Sequence, residues 1–97
     1  MPPASRIGDI ATGHGSFLPT PAIEGSPNVI TGGSPQHRVG DNLAPHASAS
    51  PSPPHPRTAA AGSGTVFTNS KGSVRIGDAV DCGGMLAQGF GTVIIGG

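Results

Sequence analysis

The chain has no tryptophan and no tyrosine, three phenylalanines, a single cysteine and a formal net charge of zero over 97 residues. Each scarcity removes a class of function. So little aromatic surface on so short a chain allows one domain with a modest core, which a cross-link would help to fold. Cys82 has no cysteine partner, so the cross-link is not an internal disulfide; a free thiol, an intermolecular bridge or a metal ligand remains. Five basic residues balance five acidic ones, which leaves no electrostatic footprint for nucleic acid or anionic lipid. No apolar run is long enough to span a bilayer, and Met1-Pro2-Pro3-Ala4-Ser5-Arg6 lacks the hydrophobic stretch of a secretory signal. The protein is therefore expected to be made and folded in the cytoplasm.

What the chain has in excess is glycine and proline, 17 and 11 residues respectively. That composition alone reads as low-complexity or disordered chain, and the order of the residues argues against it. Arg6-Ile7-Gly8-Asp9 returns as Arg38-Val39-Gly40-Asp41 and Arg75-Ile76-Gly77-Asp78. A second echo runs in phase: Val29-Ile30 follows Gly25, Val66-Phe67 follows Gly62, and Val93-Ile94 follows Gly89. One unit is written three times, roughly over 3–33, 34–70 and 71–97, within a single domain. No copy has enough apolar surface to hold itself, so the copies must stack or ring around a shared core.

The units are β in character. Helix has no candidate segment, whereas Asn28-Val29-Ile30-Thr31, Thr65-Val66-Phe67-Thr68 and Thr92-Val93-Ile94-Ile95 are β-branched runs bounded by glycine. They predict strands of about four to six residues. Gly32-Gly33-Ser34 and Asn69-Ser70-Lys71 predict turns that return the chain into Arg38-Val39 and Arg75-Ile76. The second unit carries an insertion over 47–63, rich in Ala, Ser and Pro, which reads as a flexible linker. The last strand lacks a return partner and the first Arg-Ile-Gly-Asp lacks a preceding strand. Pairing of Arg6 to Gly8 with Val93 to Ile95 would close three hairpins into a pseudo-three-fold ring without open edges. The Arg and Asp residues of the repeat read as turn chemistry and surface ion pairs of small energetic weight.

Soft ligands fall on the same register. His14 and His46 lie eight residues after Arg6 and Arg38, and Cys82 lies seven after Arg75. Three-fold closure brings equivalent positions to the axis, which is a geometry for three ligands on one metal. The fourth tetrahedral corner must come from outside the repeat, and His55 in the insertion is the candidate, in a loop stiffened by Pro53, Pro54 and Pro56. His37 has a different phase, aligned with Ser5 and Val74, and is expected not to ligate. One cysteine with three histidines suits Zn²⁺, and the donor set also admits iron. Four protein ligands leave no coordination position for water, so an enzyme is not expected.

Pro3-Ala4-Ser5-Arg6 and Pro35-Gln36-His37-Arg38, with Gly72-Ser73-Val74-Arg75 as a degraded third copy, resemble the signature of the PAAR-repeat proteins. His14-Gly15, the run at 25–29 and Cys82-Gly83-Gly84 extend the resemblance along the chain. It implies a small all-β cone with a metal near its vertex, held by His14, His46, His55 and Cys82. It implies a structural role: the cone caps and sharpens a trimeric β-helical spike of the valine-glycine repeat protein G type in a bacterial type VI secretion system. The alternative setting is the spike of a contractile phage tail. One tip per trimer, a monomer in isolation, associated effectors and delivery out of the cell into a target cell are the further expectations. Repeats that fill the chain from Pro3 onward predict a bare tip with no toxin extension.

Overall fold

Glycine or proline interrupts the chain every few residues, so strands stay short and each must find its partner quickly. The computed structural model describes residues 2–14, 17–47 and 55–97. Among them are ten strands and no helix: β1 (Pro3–Ala4), β2 (Ile10–Ala11), β3 (Thr20–Pro21), β4 (Ile30–Thr31), β5 (Ser34–Pro35), β6 (Asn42–His46), β7 (His55–Thr58), β8 (Phe67–Thr68), β9 (Lys71–Gly72) and β10 (Phe90–Ile94). They pair antiparallel as β1-β10, β2-β3, β4-β5, β6-β7 and β8-β9. The protein is a small all-β domain of short antiparallel hairpins.

Two hairpins are shorter than the sequence suggests. Ile30 pairs with Pro35 and Thr31 with Ser34; Phe67 pairs with Gly72 and Thr68 with Lys71. The reversals occupy only Gly32-Gly33 and Asn69-Ser70, all four with positive φ, between 53° and 86°. Such turns match the twist of a two-residue hairpin, and Asn tolerates that backbone better than most residues. The return strands are therefore Ser34–Pro35 and Lys71–Gly72, ahead of the arginines. The third hairpin is closed by the two chain ends: Pro3 pairs with Ile94 and Ala4 with Phe90, with an irregularity between them. Closure uses Pro3–Ala4 because Arg6 to Gly8 is occupied in a turn, the Asp9 N–H donating back to the Arg6 carbonyl at 3.0 Å.

Hydrogen bonds make the three-fold relation explicit. The N–H of Ser5 donates to Val74 C=O at 2.9 Å, that of Val74 to His37 C=O at 3.0 Å, and that of His37 to Ser5 C=O at 3.0 Å. A second ring repeats the pattern: Ile7 N–H to Pro35, Val39 to Gly72 and Ile76 to Pro3, at 2.9–3.0 Å. In a third rung the N–H groups of Gly8, Gly40 and Gly77 donate to Ala22, Ala59 and Leu86. Those glycines have φ between 91° and 96°, and a Cβ on any of them would touch nothing. Backbone conformation alone, with no steric crowding, therefore requires glycine there. Beyond the rungs, bridges Ala11↔Leu86, Ala22↔Leu43 and Ala59↔Val80 line up two triads of side chains. These six residues and Val74 are the apolar core.

The arginines depart from expectation. Each binds its aspartate bidentately, with Nε to Oδ2 at 3.1, 2.7 and 2.9 Å in Arg6–Asp9, Arg38–Asp41 and Arg75–Asp78. The Arg38 and Asp41 side chains are only 10% and 1% exposed. The same Oδ2 also accepts the arginine's own N–H in all three copies. The remaining guanidinium nitrogen reaches the next hairpin: Arg6 to Gly32 C=O, Arg38 to Asn69 Oδ1, Arg75 to Gly96 C=O. These are largely buried clasps between units, not loose surface pairs, and the hydrogen bonds Arg38 donates to Asp41 raise its already high pKa. The insertion departs as well. Part of it, residues 48–54 with Pro53 and Pro54, lies outside the described residues, but β7 pairs with β6 and Ala59 joins the core. The linker composition misleads because a single alanine suffices to fill a crowded triad.

Breaking the most buried clasp should expose its weight. Asp41→Ala strands the Arg38 guanidinium and is expected to cost about 3–5 kcal/mol in urea unfolding, more than the same change at Asp9, whose arginine is more exposed. His37 gives a second test. It is fully buried, its Nδ1 donates to Glu24 C=O at 2.7 Å, and its Nε2 has no partner among the described residues. Burial holds its pKa below the usual histidine value, against upward pulls from the Glu24 carbonyl bond and the charges of Asp41 and Glu24, while Arg38 adds to the lowering. The folded state thus binds this proton less readily than the unfolded chain. Stability from His37 is complete above about pH 6.5 and is lost as pH falls through the lower folded value. His37→Val, copying Val74, should flatten that loss by up to about 1.4 kcal/mol per pH unit. Equal pH slopes for the two chains in thermal melts would contradict it.

Candidate metal centre

Two or three residues beyond the Ala11, Leu43 and Val80 triad, each unit delivers a side chain to the same place: His14, His46 and Cys82. His55 joins them because β7 lies antiparallel to β6, with His46 directly opposite His55. One ligand atom from each of the four lies within 4.8 Å of every other. His46 Nε2 is 3.0 Å from His55 Nε2 and 3.6 Å from Cys82 Sγ. A tetrahedral ion with Zn–N near 2.05 Å and Zn–S near 2.3 Å would place its ligand atoms roughly 3.3–3.6 Å apart. His37 lies elsewhere, in the innermost hydrogen-bonded ring.

The protonation pattern fits a cation. His46 Nδ1 lies 3.0 Å from Leu18 C=O, and His55 Nδ1 3.3 Å from Pro56 C=O. A carbonyl only accepts, so both Nδ1 atoms carry the hydrogen, and each ring in its neutral form presents a bare Nε2 lone pair. Two lone pairs facing each other at 3.0 Å repel unless an electrophile stands between them. His14 Nε2 is buried with no hydrogen-bond partner among the described residues, a costly state unless it too has such a partner. Burial lowers the His46 pKa, outweighing the Leu18 carbonyl bond, with further lowering from Arg57, His55 and His14. The neutral, metal-competent imidazole is thus favoured.

Residues around the cluster shape it. Phe17 packs on all three imidazoles, its ring centroid 5.1, 5.0 and 4.4 Å from those of His14, His46 and His55. Asp81, beside Cys82, accepts the Thr58 N–H at 3.0 Å and the Thr58 hydroxyl at 2.7 Å, tying the cysteine loop to β7. Those bonds, led by the Thr58 N–H, hold its carboxyl below the usual aspartate range. Gly83 and Gly84 have φ of 112° and 82°. A Cβ on Gly84 would crowd the Thr12 carbonyl oxygen, so a side chain there would push the cysteine loop away from the His14 segment. Phe17 and Asp81 carry no repeat signal, and only the Gly83-Gly84 pair hints that the loop is tight.

A family model described as the PAAR motif matches residues 3–88, most of the chain, and the protein belongs to that family. No curated protein matches it. The cluster of three histidines and one cysteine could hold a metal ion, by His14, His46, His55 and Cys82. Such an ion would cross-link the three units and the insertion at one point, supplying stability that the small core lacks.

Cys82→Ser should weaken metal binding strongly and lower the melting temperature by several degrees in metal-replete buffer, since binding and folding are coupled in small domains. His37→Ala should leave the metal content near one per chain. Elemental analysis of tag-free protein checks both; absence of stoichiometric metal, or the reverse ranking of the two variants, rejects the four-ligand centre.

Proposed function

We propose that this protein is the metal-bound tip of a trimeric β-helical spike in a bacterial type VI secretion system, and that the bound metal is zinc. Membership in the PAAR-motif family supports a spike-tip role. The observation that carries the reading is the disposition of exposed apolar residues. Ile30, Phe67 and Ile94 are 57%, 60% and 47% exposed, and each follows a half-exposed valine: Val29, Val66 or Val93. They occupy the same position in each unit, so the chain presents one apolar patch three times around its pseudo-axis. A spike built from three identical chains ends in three equivalent edges, and three equivalent patches on one chain can cover all of them at once.

The role is structural and not catalytic. Four protein ligands saturate a tetrahedral zinc and leave no position at which water or substrate could be activated. On this reading the chain folds as a monomer in the bacterial cytoplasm, joins the spike there, and leaves the cell with it to puncture a target membrane. The hairpin patches sit against the spike and the histidine-cysteine end points away.

A mixture with a trimeric spike protein of the valine-glycine repeat type should give one tip per three spike chains by light scattering. Phe67→Asp with Ile30→Asp should weaken that complex at least tenfold while hardly moving the melting temperature, because both side chains are exposed in the free protein. Three tips per trimer, or no complex with the wild-type chain, would remove the tip reading.

A further inference from the structure

Arg57 is among the largest side chains in the molecule with no solvent exposure. The other three buried or half-buried arginines each have an aspartate, but Arg57 takes part in none of the ion pairs among the described residues. Its two Nη nitrogens donate to uncharged oxygens instead, while its buried Nε has no partner among the described residues. Nη2 donates to Thr12 C=O and, at 3.3 Å, to Gly83 C=O. Nη1 donates to Thr20 Oγ1 at 3.0 Å and reaches Ala11 C=O at 3.5 Å.

Those acceptors sit on the ligand-bearing segments. Thr12 is two residues before His14, and Gly83 directly follows Cys82. Arg57 itself lies on β7, two residues after His55. Thr20 passes the connection on, its hydroxyl donating to Ala44 C=O at 2.7 Å, two residues before His46 on β6. One planar guanidinium therefore links, through its two Nη nitrogens, the backbones that carry all four candidate ligands. A lysine ammonium, with three donors around one point, cannot span the same acceptors.

We propose that Arg57 is a positioning residue of the metal centre, fixing the four ligand-bearing segments relative to one another so that His14, His46, His55 and Cys82 converge. The inference rests on the metal-binding reading above. Charge and geometry make opposite predictions for it. A buried cation beside a dication site repels the metal, so a purely electrostatic influence means that removing Arg57 tightens binding. A positioning role means that removing it loosens binding.

The test is metal affinity of the full chain, by competition with a chromophoric chelator, for wild type, Arg57→Met and Arg57→Lys. Cobalt spectra report the coordination sphere separately. Both variants should bind zinc about 10–100-fold more weakly, as losses of supporting shells around metal ligands do, with reduced thiolate-to-cobalt charge-transfer and tetrahedral d–d bands. Val74→Ala, a buried change in the innermost ring, controls for instability: at comparable thermal destabilisation it should keep wild-type affinity and spectra. If Arg57→Met binds as tightly as wild type or tighter, or if Val74→Ala loses affinity in step with it, Arg57 does not position the site. If Arg57→Met cannot be folded, Arg57→Lys at wild-type affinity and with wild-type cobalt bands overturns the proposal equally. A wild-type chain that takes up no metal removes this inference together with the metal centre, whereas in a wild-type chain that binds metal the outcome concerns Arg57 alone.

Discussion

Everything else in the molecule hangs on a ring of three backbone hydrogen bonds, Ser5 to Val74 to His37 and back to Ser5. Each residue donates to one unit and accepts from the other, so the three units close with no free edge at their centre. The axis of the ring is filled by one side chain. Gln36 Nε2 lies 3.0, 3.0 and 3.1 Å from the carbonyls of Ser5, His37 and Val74, and Gln36 Oε1 accepts from the Thr31 hydroxyl at 2.8 Å. Two N–H groups shared among three acceptors put the amide nitrogen close to the pseudo-axis. A carboxylate oxygen in its place would face three carbonyl oxygens in a buried site. The ring converts a chain with three weak units into one structure, because each unit can form its hydrogen bonds only when the other two are present.

The contents of the core follow from that closure. Three units converging on one axis leave room for small residues, and the two apolar triads are Ala11, Leu43, Val80 and Ala22, Ala59, Leu86. Burial of so few large side chains contributes modestly. Order is carried instead by buried polar groups that are satisfied in register: the three arginine-aspartate clasps, Gln36, Ser26 and Ser63. Ser26 Oγ accepts from the N–H of Val29 and Ser63 Oγ from that of Val66, both at 2.9 Å, holding the exposed valine in two of the three hairpins. The same economy explains why the patch residues are free to face outward: the core has no space for them.

Much of this is legible in the sequence because it repeats. Phase alone aligns His14, His46 and Cys82, and the unmatched chain ends imply closure. Strand lengths and the closing register are not legible, because propensity sees β-branched residues but not where a two-residue turn must fall; Gly32-Gly33 and Asn69-Ser70 cut the ladders short. The clasps are undervalued because sequence does not report exposure, and an arginine three residues from an aspartate looks the same on a surface turn as in a buried one. Gln36, Phe17, Asp81 and Arg57 are invisible for a different reason. Each breaks the repeat, and a reading built on equivalence has no means of weighing a residue that occurs once.

Those exceptions are where function separates from fold. A perfect three-fold chain could offer three equivalent ligands on its axis but no fourth, and a tetrahedral ion needs four. The insertion in the second unit resolves the mismatch by adding β7, which brings His55 opposite His46 and carries Arg57 into contact with the segments of the other two units. Symmetry is thus kept at the hairpin end, where Ile30, Phe67 and Ile94 present one pattern three times, and abandoned at the other end, where one centre must be completed. The stack of backbone rungs joins the two ends, so that in the proposed tip role a single chain would match a three-fold partner on one side and hold an asymmetric four-ligand set on the other.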